Sequence, residues 1–395
     1  EMSASLVGSE MCIRDRNTYH QYRNTLAATL TGSARTGYFY ATVHNYKDTL
    51  EAALAEDNIP SSLYDGLIDT VHDNFAPLHE YIQLKKDVLG VDEFHYYDMY
   101  MPISTAGDSF ACSFPEACAK VEEALAPLGK EYLTALHKGM TEGWIDVYEN
   151  KGKTTGAFSC GVYGVHPYVL LNFTNELDDV FTLAHELGHA MHSYKSDHAQ
   201  AFANHDYSIM AAEVASTVNE VLLLKYLISN ETDKKRRAYL LNHFLEQFRT
   251  TVFRQTMFAE FELIAHTMAE QGQPLTCESL SKAYYELNQK YYGAVCTVDE
   301  NIANEWMRIP HFYRSYYVYV YATGLCAAVS LSDKILSEGE SAVRDYRKFL
   351  SAGCAVPPID ALKLAGIDMS SPEPIRRALG VFKDTLAQFK AVIMA

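Results

Sequence analysis

The chain has 395 residues, is 48% hydrophobic and carries 33 basic against 50 acidic residues, for a net charge of −17. That length buries a large core and is compatible with two or three domains, while the acidic balance argues against a nucleic-acid binder or a protein held on anionic lipid by charge. Eight cysteines without a C-x-x-C pair fit scattered reduced thiols, no apolar run reaches about 18 residues and no signal-peptide pattern opens the chain, so cytoplasmic placement is expected.

In chain order, "LVGSEMCIRDR" (6–16) matches a conceptual translation of a sequencing-library adapter end. Residues 1–16 are therefore expected to be an artefact, with natural sequence missing before Asn17. From Asn17 to about Leu89 apolar residues recur at helical spacing, with breaks expected at Gly32 to Gly37 and at 58–62, where Pro60 restricts Ile59. "GVDEFHYYDMYMPIS" (90–104) reads as an aromatic connector, and helix resumes from about Pro115 to Tyr148. "GAFSCGVYGVHPYVLLNF" (156–173) mixes glycine, β-branched and aromatic residues around Pro167, which predicts a short hairpin or edge strand pair. Asn175, with Asp178 three residues on, is the expected N-cap of one amphipathic helix running to Tyr194. A polar loop (196–209), a helix over about 211–229, long helices over about 232–270 and 278–292, and a helical final third from Pro310 complete a mainly α chain with one small sheet.

Inside the helix after Asn175, "TLAHELGHAMHSY" (182–194) puts His185 and His189 one turn apart on the same face, so both rings address a single ion. Glu186 lies about 100° around the helix, placed to act on a water at that ion rather than on the ion itself. It is the candidate general base, and later the proton donor to a leaving amine. Gly188 removes a side chain where the ion or a neighbouring segment comes close. Catalytic zinc takes three protein ligands and keeps one position open. The residues three and six past the second histidine are His192 and Lys195, which excludes the metzincin pattern and leaves His192 as a core or orienting histidine. In "MAAEVASTVNEVLLL", Glu213 and Glu220 stand seven apart on one helix face, after a loop long enough to bring this helix against the first. Glu213 is the expected third ligand and Glu220 the acceptor that orients a ligand histidine. One Zn²⁺ per chain and metal-assisted hydrolysis follow.

These stretches, together with "NTLAATL" (24–30), "HYYDMYMPI" (95–103), "HPYVLLNF" (166–173), "FRQTMFAEFE" (253–262) and "RIPHFYRSYYVYVYATG" (308–324), resemble the oligoendopeptidase F family of the thimet oligopeptidase superfamily of zinc metallopeptidases. The resemblance covers nearly everything from Asn17 onward. It implies a helical clamshell with zinc on the floor of a deep channel, and cleavage of short peptides with folded proteins excluded. It also implies an amino-terminally truncated chain, made of a helical part (17–110) and a zinc metallopeptidase domain (111–395). The superfamily pairs a histidine with a tyrosine about six residues on. That implies His311 and Tyr317 as hydrogen-bond donors to the oxyanion, with Tyr319 the competing choice and Tyr321 one turn further. Tyr319, Tyr321 and His166 are expected substrate contacts, and the hairpin offers an edge strand to an extended peptide. The leading expectation is a zinc endopeptidase for short oligopeptides. The alternatives are a metallocarboxypeptidase with the same ligands and an inactive zinc-binding fragment.

Overall fold

The helical periodicity is realised over most of the computed structural model, which describes residues 18–104 and 111–394; the adapter-like residues 1–16 lie outside the described residues. Early in the chain run α1 (Arg23–Val43), α2 (Thr49–Ala55), α3 (Ser61–His72) and α4 (Phe75–Leu89). Then come α5 (Phe114–Ala124), α6 (Lys130–Thr141), α7 (Leu177–Ala199), α8 (Ile209–Asn230) and α9 (Lys234–Phe248). The rest is α10 (Arg254–Glu270), α11 (Cys277–Tyr292), α12 (Tyr319–Glu338), α13 (Glu340–Leu350), α14 (Pro358–Leu364) and α15 (Glu373–Ile393). Five short strands are present among the described residues: β1 (Phe94–His95), β2 (Ile145–Asp146), β3 (Phe158–Cys160), β4 (Tyr168–Leu170) and β5 (Cys296–Thr297). The fold class is mainly α, as expected.

The chain forms two compact units. One takes the described residues through Ile103 together with Arg249–Ala322; the other takes Ser104–Phe248 and the chain from Thr323 onward. In the first unit α1 runs without a break through Gly32 and Gly37, against expectation. A glycine inside a helix costs only about 1 kcal/mol. Here α1 packs on α10, and a Cβ at Gly37 would lie 3.8 Å from the His266 ring, so tertiary contact carries the helix through. The chain turns instead at Asn45, in the left-handed region at φ 61°, and Asp48 caps α2 by accepting the Glu51 amide. The turn expected around Pro60 is present, with Asn58 at φ 53° and Pro60 directly before α3. An ion cluster centres on the buried Glu305 in this unit: the Arg254 guanidinium lies 2.9 Å, and that of the exposed Arg308 2.6 Å, from its carboxylate. Burial would raise the Glu305 pKa, but the two arginines and the Tyr284 hydroxyl hold it at about 2.

In the second unit the hairpin is present, β3 antiparallel to β4, but β4 is the middle strand because β2 joins it in parallel. Ile145–Asp146 was expected to be helical; α6 stops at Thr141 because Gly143 adopts φ 80° and Trp144 turns into the core. The cap of α7 is Glu176, one residue later than expected. Asn175 is left-handed at φ 68°, and the Asp179 carboxylate, not that of Asp178, accepts the amides of Thr174 and Glu176 at 2.8 and 2.9 Å. Among the described residues no helix is long and apolar enough to cross a membrane.

Two buried histidines set an acid limit on stability. Burial pushes His192 to about 3, helped by His189, and His266 to about 4. An unfolded histidine takes up its proton near pH 6.5 whereas these folded ones stay neutral, so their stabilisation is complete above about 6.5 and lost as pH falls toward 4. Within that window each histidine costs the folded state about 1.4 kcal/mol for every tenfold rise in proton activity. Urea unfolding of the parent and of His266→Leu between pH 7 and 4 should show a shallower pH slope in the variant. Equal slopes would remove His266 from this role.

Candidate active site

Helix α7 buries Leu177, Val180, Leu183, Ala184, Leu187, Ala190 and Met191 on one side, which turns the i, i+4 pair His185 and His189 to the other. It lies unusually close to α8: a Cβ built on Gly188 would be 2.5 Å from Ser216 Cα and 2.9 Å from the Ala215 carbonyl oxygen. Buried Asn219 fastens the pair, donating to the Ala184 carbonyl at 3.1 Å and accepting from the Tyr132 hydroxyl at 2.9 Å. This close approach brings Glu213 and Glu220 of α8 up to the two histidines. Gly188→Ala must force backbone apart, since backbone is what the methyl meets. The expected cost is about 1–3 kcal/mol of unfolding free energy together with weaker metal binding; thermal melts and zinc content check both.

One nitrogen each from His185 and His189 and a carboxylate oxygen of Glu213 lie within 4.8 Å of one another, the one such histidine, cysteine or carboxylate group among the described residues. The two histidines face each other with their Nε2 atoms 3.1 Å apart. The other nitrogen of His185, Nδ1, hydrogen-bonds Glu220, whose second oxygen accepts from Gln247 Nε2 at 2.8 Å. Burial alone would lower His185, but the hydrogen bond and charge of Glu220, with Glu186 and Glu213 near, lift it to about 9. Burial and the charge of His185 push His189 down to about 3. Burial raises Glu213, with Glu220 adding and His185 opposing. Glu186 is 7% exposed, and its Oε2 has no hydrogen-bond partner among the described residues. Burial lifts its pKa to about 6, with His185 opposing and the other two glutamates adding.

Two neutral-capable imidazoles and one carboxylate make a His₂Glu donor set, the kind that suits zinc with a position left open. The two Nε2 atoms, 3.1 Å apart, face the same point as an ion would require, and the Glu220–Gln247 chain supplies the outer hydrogen bond that orients a ligand histidine. His192 is not among the donors; it is buried with its ring stacked on Tyr207 at 3.6 Å. Gln247, Asn219 and Tyr132 were not anticipated. An asparagine within the apolar run of α8 was the only local signal for any of them.

A pocket of about 310 Å³ opens beside His189 and Glu213, bordered by Ser159 and Gly161 at β3 and by Tyr207 and Asp197. The strand order makes β3 an edge of its sheet, and β3 lies along α7. His166 is half-buried at the end of the hairpin, stacked on Trp144 at 5.2 Å with its Nδ1 2.7 Å from the Pro167 carbonyl. The remaining anticipated residues belong to the first unit. His311 lies in a 3₁₀ turn (Pro310–Tyr313), its ring parallel to that of Tyr317 at 6.1 Å. The hydroxyls of Tyr317 and Tyr321 are 3.2 Å apart, whereas Tyr319 is buried with its ring against Tyr64.

A sequence model described as peptidase family M3 matches residues 9–381. Over 378 residues, 95% of this chain, it is 50% identical to "Oligopeptidase PepF" of Bacillus subtilis, and it spans 56% of that protein's length. Over 98% of its length it is 40% identical to an "Oligoendopeptidase F homolog" of Borreliella burgdorferi, spanning 66% of it. In three dimensions it is similar to the crystal structure of oligoendopeptidase-F from Enterococcus faecium, with a TM-score of 0.78, 38% identity, and coverage of 97% of this chain and 63% of that one.

Proposed function

The chain belongs to peptidase family M3, and from that membership we propose that it carries the zinc site of an endopeptidase acting on short oligopeptides. The relatives named oligopeptidase or oligoendopeptidase support the substrate class. One observation carries the reading: His185, His189 and Glu213 converge beside a buried glutamate with a free oxygen.

His185, His189 and Glu213 would hold the ion, and Glu220 orients His185. Zinc bound there supplies Lewis acidity, polarising a carbonyl and acidifying water. Glu186, buried beside those ligands with one oxygen unpartnered among the described residues, would take the proton of the attacking water and return it to the leaving amine. His311 and Tyr317 would donate hydrogen bonds to the developing oxyanion, with Tyr321, hydrogen-bonded to Tyr317, and His166 as further substrate contacts; Tyr319, expected among them, is buried against Tyr64 and packs there. The β3 edge accepts an extended peptide as an added strand. The 111–395 metallopeptidase domain and cytoplasmic placement belong to the same proposal. The test is cleavage of an internally quenched peptide, with and without chelator and zinc readdition, and mass spectrometry of the products. Internal cuts that stop on chelation and return with zinc support it. Products shortened by one residue from the carboxyl end would make the chain a carboxypeptidase, and bound zinc without cleavage would make it an inactive zinc protein.

A further inference from the structure

Tyr316 stands in the left-handed region at φ 53°, a conformation that is unfavourable for a bulky residue and persists only where its surroundings impose it. They do so on three sides. The ring is 4% exposed, edge-on to Tyr64 at 5.5 Å and tilted on His266 at 4.7 Å. The hydroxyl lies 3.0 Å from that of Thr49. The backbone N–H donates to Glu262 Oε1 at 3.0 Å.

Glu262, on α10, is unlike an ordinary helix glutamate. It is 2% exposed, no ion pair to it is found among the described residues, and its Oε2 has no hydrogen-bond partner there. Burial drives its pKa well up, with the backbone amides of Tyr316 and Val318 pulling the other way. Burying a carboxyl group is costly unless it is well bonded. The bond it makes goes to the backbone amide of Tyr316, directly before Tyr317.

Tyr317 is only half-buried. It lies within hydrogen-bond distance of Tyr321 and parallel to His311, and the Arg314 guanidinium sits 4.2 Å over its ring. We propose that Glu262 is a positioning residue: by accepting the Tyr316 amide it locks the left-handed turn that presents the Tyr317 hydroxyl beside His311 and Tyr321. The proposal rests on the reading of Tyr317 as a donor to the oxyanion. Glu262 does not itself touch substrate. Its carboxyl sets the path of the backbone, and the backbone sets the tyrosine.

The test uses the full chain loaded with zinc, in two readouts. Hydrogen exchange across residues 312–319 reports the clamp directly. Glu262→Met, which removes the acceptor at similar volume, should speed exchange in that stretch by about tenfold or more, while Glu262→Gln, which keeps an acceptor oxygen, should not. In peptide cleavage Glu262→Met should lower kcat about 10- to 100-fold with KM and zinc content near those of the parent. Glu262→Gln should restore most of the rate. Combined with Tyr317→Phe, Glu262→Met should cost less than about threefold more, because both act through one hydroxyl. Unchanged exchange in Glu262→Met overturns the proposal, as does a kcat loss of the same factor with or without Tyr317. If Glu262→Met does not fold, Glu262→Asp replaces it: the shorter side chain withdraws the acceptor, and unchanged exchange again overturns the proposal. A parent that cleaves nothing, or a Tyr317→Phe enzyme of parental rate, instead defeats the functional reading of Tyr317, and exchange still decides the clamp.

Discussion

Glu186→Gln is expected to keep one zinc per chain and to lose peptide cleavage by about 10² to 10⁴-fold or more. Glutamine has the size and shape of the residue it replaces, and Glu186 is not one of the three converging donors, so the ion should stay. What disappears is the base. In the folded chain the Glu186 carboxyl is buried, one oxygen is unpartnered, and burial with two neighbouring glutamates lifts its pKa to about 6 against the pull of His185. A carboxyl titrating there is ionised at neutral pH yet basic enough to take a proton from an attacking water. An amide has no such capacity. Zinc analysis beside kcat on a quenched peptide makes the comparison, and a variant within tenfold of the parental rate would remove Glu186 from the role.

Glu213→Ala attacks the ion instead. With its oxygen gone, His185 and His189 face each other as a two-nitrogen site, and two protein ligands do not make a catalytic zinc centre. Loss of zinc on dialysis and loss of cleavage are both expected. The useful contrast is Glu220→Ala, which leaves all three donors but removes the hydrogen bond to His185 Nδ1. An orienting partner of that kind is worth about 10- to 100-fold in metal affinity, so Glu213→Ala should weaken zinc binding well beyond Glu220→Ala. If the two variants held zinc equally, the division of labour between ligand and orienting residue would have to be reversed or abandoned.

The helix carrying His185 and His189 was legible because a four-residue spacing is a local property of a helix. Its first residue was misplaced by one because Asn175 and Glu176 are both capable of ending an extended segment, and only the reach of Asp179 back to Thr174 and Glu176 chooses between them. The unbroken α1 fails in the opposite sense. Gly32 and Gly37 are weak helix residues, but the packing of α1 on α10 outweighs their propensity. The third strand, Ile145–Asp146, was invisible for a similar reason. Two residues carry no periodicity, and what makes them a strand is β4 lying alongside.

Local spacing along the chain carries the mainly helical character, the shared face of His185 and His189, the offset of Glu186 and the candidacy of Glu213. Each depends on spacing within one helix or on a motif that is contiguous in the chain. Contacts in three dimensions add that Gly188 lets two helix backbones nearly touch, that the histidine Glu220 holds is His185 with Gln247 behind it, and that Glu262 grips the Tyr316 amide beside Tyr317. Those are contacts between segments far apart in the chain. A buried carboxylate or a missing Cβ acquires its meaning from the group it meets, and chain spacing does not encode which group that will be.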